Sequence, residues 1–172
     1  MVDLVILQSV SYVAGAIGVL LATLNYIIST RNADKARQAT LFMGIFKDFT
    51  SEEIPRNAGE LYSMKWVDFP DFQKKYDYTV DPENSVKRTV VWYWFDGIGV
   101  LVKKGLIDKD LVYQNLSYDV TYQWIKWWPI IGEYKRLGEM GPNWLNGFEF
   151  LAGEMEKMRR EKGIKWELTP TQ

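Results

Sequence analysis

Neither cysteine nor histidine occurs in this 172-residue sequence. Without cysteine there are no disulfides, thiol nucleophiles or thiolate metal sites, a composition suited to a reducing compartment. Without histidine the chain lacks the usual general base near neutral pH, the Ser-His-Asp and Cys-His arrangements, and the main ligand of zinc, haem and non-haem iron sites. A dominant charge of either sign is missing too. The 21 basic and 22 acidic residues leave a net charge of −1, which supplies no strongly basic surface for a nucleic acid. There is no Gly-rich phosphate loop, nucleophile elbow or kinase signature, because Gly97 and Gly99 fall inside an expected helix instead of following a strand. The expectation is therefore no catalytic residue, no cofactor and no metal; an enzyme here would have to work with carboxylates, Lys or Tyr.

Charge is absent altogether from Leu4 to Thr30, a run of 27 residues. At about 1.5 Å of rise per residue a helix of that length reaches roughly 40 Å, and about 20 apolar residues cross a bilayer core. A transmembrane helix is expected. A signal peptide fits less well, since residues 1–3 contain no Lys or Arg and the run exceeds the roughly 7 to 15 residues of a signal core. A buried core helix would keep a polar face, whereas only Gln8, Ser9, Ser11, Thr23 and Asn25 are scattered here. Arg31, Lys35, Arg37 and Lys47 follow the run and no basic residue precedes it. The positive-inside bias then predicts a single-pass protein of the cell membrane, its N-terminus outside and its C-terminal domain cytoplasmic. Residues 1–30 form the anchor and 31–172 the cytoplasmic domain, about the size of one ordinary domain. Within the anchor, Ser11, Gly15, Gly18, Ala22 and Asn25 recur every three or four residues and line one face. Small faces let helices approach closely in lipid, so this face is a candidate packing seam for a homo-oligomer or a protein partner.

Beyond the anchor every readable period is helical. Apolar positions continue at helical spacing to Phe49, so the anchor helix is expected to run on. Thr50 and Glu53 have the spacing of a capping box, and residues 66–78 read as short helical pieces. Asp81-Pro82-Glu83 is a strong helix start, followed by a stripe of Val86, Val90, Trp94, Ile98, Leu101 and Val102, with Lys103-Lys104-Gly105 as its end. Asp108 caps a further helix through Leu116; another runs from Val120 to Trp128, where Pro129 is expected to break or kink it before Ile130 to Leu137. The last is expected to start at Pro142-Asn143 and stop at Gly163. No stretch alternates over strand lengths, which gives an all-α fold: one transmembrane helix followed by a small helical bundle.

The segment Phe95-Asp96-Gly97-Ile98-Gly99 through Lys104-Gly105-Leu106-Ile107-Asp108, with Leu111-Val112-Tyr113, Trp124 to Trp128 with Arg136, and Phe148-Glu149-Phe150-Leu151-Ala152, resembles a domain-of-unknown-function family of small prokaryotic proteins. That resemblance implies one N-terminal membrane helix and an all-helical cytoplasmic domain, and brings no activity with it.

Asp96 and Glu149 stand among aromatics on helices expected to be buried. A buried carboxylate must be paired, protonated or bound to a cation. An ion pair or cap contact with a residue such as Arg88 or Arg136 is the leading account, with a carboxylate metal site or acid-base work as alternatives. The aromatic clusters Trp92 to Phe95 and Trp124 to Trp128 are expected mainly as core. The Lys157, Arg159, Arg160, Lys162 and Lys165 group is interrupted by Glu156 and Glu161, which suits a solvated face. The leading functional expectation is a non-catalytic accessory subunit or scaffold, in contact with the lipid bilayer and with a protein partner or a second copy. A membrane-tethered sensor or regulator binding a small ligand or ion is the alternative, and a carboxylate-based hydrolase a weaker one. A pocket lined by convergent polar groups would favour the sensor, and an exposed apolar patch the scaffold.

Overall fold

The computed structural model describes residues 4–164. The start at residues 1–3, which has no Lys or Arg, and Lys165 of the basic group lie outside the described residues. The described residues form six helices and no strand: α1 (Leu4–Phe49), α2 (Glu53–Ser63), α3 (Phe69–Tyr76), α4 (Pro82–Lys103), α5 (Lys109–Leu137) and α6 (Asn146–Glu161). Two compact units divide at Thr40 and Leu41 instead of at residue 30. The charged turns after Arg31 stay exposed, and the first side chains to enter the helical core are Phe42 and Ile45.

In the first unit, α1 is long and apolar enough to cross a membrane. Leu20, Leu21, Leu24 and Ile28 are all more than half exposed, which a core helix of a soluble domain does not show. The hydroxyls of Ser11, Thr23 and Thr30 each donate to the carbonyl one turn back, at 2.9 Å. These polar groups are thus satisfied within the helix, as hydrocarbon surroundings require.

In the second unit, local chemistry sets most helix ends. Thr50 does not form a capping box; its hydroxyl donates back to Phe46 O at 2.9 Å, and α2 begins without a side-chain cap. Pro55 sits in the first turn of α2, where its missing N–H has no helical partner to lose. Asp68 accepts from Asp71 N at 2.8 Å to start α3, and Asp81 accepts from Asn84 N at 3.1 Å to start α4. At the far end of α4, Gly105 takes φ +67° while Gly105 N and Leu106 N each donate at 2.9 Å, to Val102 O and Leu101 O. This is a Schellman end, and Gly tolerates its left-handed residue without a Cβ penalty.

Two expectations are corrected. The break at Pro129 and the gap before Val120 are absent, since α5 is one helix of 29 residues. Val112, Leu116, Val120, Gln123, Trp127, Ile131 and Tyr134 are all buried, a stripe that runs straight past Pro129. Burial of that stripe carries the helix over a proline whose intrinsic cost is about 3 kcal/mol. The last helix begins at Asn146, after a turn, and not at Pro142-Asn143.

The core-facing side of α4 also differs from the expected stripe. Val86 is exposed, and Arg88, Val91, Trp92, Phe95, Ile98, Gly99 and Val102 are the buried set. Packing against α6 selects this face. A Cβ on Gly99 would lie 1.9 Å from Gly147 O, and one on Gly147 would lie 2.3 Å from Asp96 O. The two backbones touch where no other residue fits, and Phe95 and Phe148 stack beside them at 5.0 Å. Gly97, two residues away, has open space around its Cβ position.

Gly99→Ala is expected to lower stability by at least the ~1–3 kcal/mol of an overpacked core, and Gly97→Ala to raise it by about 0.5–1 kcal/mol through helix propensity. Thermal unfolding of the full-length protein, followed by far-UV circular dichroism, reads both; a Gly99→Ala protein as stable as the parent would exclude the contact.

Candidate functional site

Asp96 lies at the α4–α6 crossing, half-buried, and does not pair with Arg88 or Arg136. Its Oδ1 accepts from Gly147 N at 2.7 Å and from Phe148 N at 3.0 Å. These are the second and third residues of α6, whose N-cap, Leu145, offers no side-chain acceptor. Asp96 therefore does from another helix what a capping Asp or Ser does from its own. Leu145 is the only non-Gly residue at positive φ among the described residues, at +54° with its side chain buried. That conformation brings the free amides of α6 onto Asp96.

The expected burial of Glu149 is corrected: it is exposed, and it accepts from Lys135 Nζ at 2.8 Å. A pair of this kind contributes about 0–1 kcal/mol and leaves no charge in search of a cation. Arg136 pairs instead with Glu133 at 2.8 Å. Within the basic group, Arg159 turns inward, 5% exposed, and donates to Ser117 O and Thr121 Oγ1 at 3.3 Å. It is not part of a solvated face. In α1, a Cβ added at Gly15 or Gly18 would meet nothing within 4 Å, and the small-residue face from Ser11 to Asn25 is exposed along its length. Arg31, Lys35 and Arg37 follow it on the exposed surface of the same helix.

The polar groups that do converge were not singled out together by the sequence. A cavity of about 320 Å³ lies among the chain after α3, the first half of α4, the end of α5 and the turn before α6. Its charged lining is Asp77, Arg88 and Glu139, and its aromatic lining includes Trp92, Tyr134 and Trp144. Arg88 and Trp92 are one turn apart on α4 and so share a face. The Arg88 Nη2 donates to Tyr76 O at 2.7 Å, and the guanidinium lies 5.0 Å from the Phe72 ring centre. Its Nη1 and the Trp92 Nε1 are buried without a hydrogen-bond partner among the described residues. Trp92 is fixed edge-on against Trp127 at 5.3 Å and Trp144 at 5.8 Å.

Burial pulls the Arg88 guanidinium below its ordinary value, against the opposing pull of Tyr134, Asp81 and Asp77. Burial also raises the Tyr134 phenol, as does Asp77, while Arg88 lowers it. Both shifts have the sign expected of charges removed from water. Comparison of the chain with family models, curated proteins and solved structures finds no match. A larger cavity of about 510 Å³ between Trp66 to Pro70 and Pro129 to Arg136 offers less chemistry. There Asp68 caps α3 and Arg136 pairs with Glu133, so its charges are already engaged.

The sequence held one signal for the smaller cavity. Arg88 stands in register with Trp92, Phe95, Gly99 and Val102, at spacings of four and three, so a cation occupies the apolar stripe.

Asp96→Ala is expected to lower stability by about 0.5–2 kcal/mol, the range for a lost N-cap, and Asp96→Asn to recover most of it because the amide oxygen still accepts. Urea unfolding of the two full-length variants measures the difference; equal loss in both would mean that the charge, not the cap, matters.

Proposed function

We propose that the protein is a single-pass membrane protein whose helical domain binds a small ligand, acting as a membrane-tethered sensor or regulator and not as an enzyme. The observation that carries this reading is the pair of buried, unpartnered donors, Arg88 Nη1 and Trp92 Nε1, on residues lining one cavity. Buried polar groups in a folded protein are nearly always matched, and orphans on a cavity wall mark where an absent partner belongs. Nothing of similar specificity supports the accessory or scaffold role, which rests on the anchor, the small-residue face and the missing catalytic side chains.

The anchor part of the proposal draws on the exposed apolar surface of α1 and on its self-satisfied hydroxyls. The basic residues Arg31, Lys35 and Arg37 favour a cytoplasmic helical domain with the N-terminus outside. The resemblance to a family of single-span prokaryotic proteins agrees with that topology.

In carbonate extraction of cell membranes the protein is expected to stay in the pellet and to dissolve only in detergent; release without detergent would end the transmembrane assignment. For the ligand, thermal unfolding of the detergent-solubilised protein against a panel of amino acids, organic acids, sugars and nucleotides is the test. A true ligand at about 100 times its Kd adds ~2.7 kcal/mol, a rise of several degrees. Arg88→Met is expected to fold about as stably as the parent, since an apolar side chain replaces a buried guanidinium that makes no ion pair, and to lose the ligand-induced rise. If no compound raises the parent alone, the binding role fails.

A further inference from the structure

Gln123 and Arg159, two other buried polar side chains of the helical domain, are matched from within it. Gln123, 4% exposed, donates to Ala58 O at 3.1 Å and accepts from the Trp127 indole at 3.1 Å. The contrast inside one aromatic core is direct: the Trp127 N–H has its acceptor, and the Trp92 N–H, in contact with the same ring, has none. Arg88 is 4% exposed and Trp92 5%.

Both orphan groups are donors that cannot accept, so only an acceptor completes them. The guanidinium stays charged, and Asp77 and Asp81 act on it through space without a hydrogen bond. A neutral acceptor leaves that charge without a hydrogen-bonded counterion, whereas a singly charged oxyanion supplies one and can fill both donors. The remaining lining fixes the other end of the ligand. Asp77 and Glu139 are acidic, and no lysine or second arginine lines the cavity. A doubly charged anion would be repelled by the two carboxylates, and an ammonium would be drawn to them. The aromatic walls of Trp144 and Tyr93 suit an apolar body. The volume of about 320 Å³ is at the small end of the roughly 300–1,000 Å³ of ligand sites.

We infer that the cavity takes a small zwitterion, its singly charged oxyanion on Arg88 Nη1 and Trp92 Nε1, its ammonium toward Asp77 and Glu139, and its apolar body against Trp144 and Tyr93. The inference rests on the cavity being a ligand site. Free aminocarboxylates and glycerophosphoethanolamine, whose phosphodiester is singly charged, share this chemistry, and the test separates them.

Isothermal titration of the full-length protein in a non-ionic maltoside uses four probes: phenylalanine, glycerophosphoethanolamine, phenylpropanoate (no ammonium) and phenethylamine (no oxyanion). At least one zwitterion should saturate, with a Kd at least about tenfold below both half-molecules. Whether phenylalanine or glycerophosphoethanolamine is the tighter identifies the oxyanion. Arg88→Met should weaken the zwitterion by at least about tenfold. The double variant Asp77→Asn, Glu139→Gln keeps both donors, so it should weaken the zwitterion and spare phenylpropanoate. Circular dichroism confirms that each variant is folded. Phenylpropanoate binding as tightly as phenylalanine overturns the zwitterion while the ligand site stands. No saturation by any probe up to about 10 mM, weaker than most specific binding, also overturns it, and the wider thermal panel then judges the ligand site separately.

Discussion

The α4–α6 crossing joins a close backbone contact to a hydrogen-bonded cap, and each makes the other necessary. With Gly99 and Gly147 in direct contact, no side chain separates the helices, and the Asp96 carboxylate comes within reach of the first free amides of α6. The amides need an acceptor because Leu145, which precedes them, has none to give. This arrangement fixes where α6 starts and which face of α4 is buried. Phe95, Ile98 and Val102 follow onto that face toward Phe148, Leu151 and Met155, and so does Arg88 two turns earlier.

A cation arrives in the core through that choice of face. Arg88 is carried inward by the same rotation of α4 that seats Gly99, and Phe72, the Tyr76 carbonyl and Trp92 surround it. Two other inward-facing polar groups of the domain are matched. Arg159 finds a carbonyl and a hydroxyl on α5, and Gln123 bridges α2 and Trp127. Against that background, one unfilled guanidinium nitrogen and one unfilled indole N–H, on two residues that line one cavity, are the buried donors from which the functional reading is drawn. Chemistry without Cys or His narrows the same reading toward recognition, since hydrogen bonds and charge are what the wall has to offer.

The anchor obeys different physics. Its segment is defined by what is left out: no charge from Leu4 to Thr30, and hydroxyls that bond to their own helix. Such a segment is legible because composition alone decides it, without reference to any other part of the chain. The same holds for helix ends made by neighbours in sequence, such as Asp81 before Pro82 and Gly105 after Lys104, which the structure bears out bond by bond.

From the sequence alone, the all-helical class, the apolar N-terminal run, the start and end of α4 and the end of α6 near Gly163 could be read, since each depends on propensity, capping or hydrophobicity within a few residues. Tertiary structure decided the rest. The continuity of α5 past Pro129 depends on a stripe buried by other helices, and the cap on α6 comes from a residue about fifty positions earlier. The fate of Glu149 and Arg159, one outside and one inside, turns on helix rotation, which apolar spacing leaves open when aromatic residues occupy several faces. The cavity is of the same kind: Asp77, Arg88, Glu139 and Trp144 are far apart in the chain, and only the packing of α3, α4 and α5 gives their charges a common space.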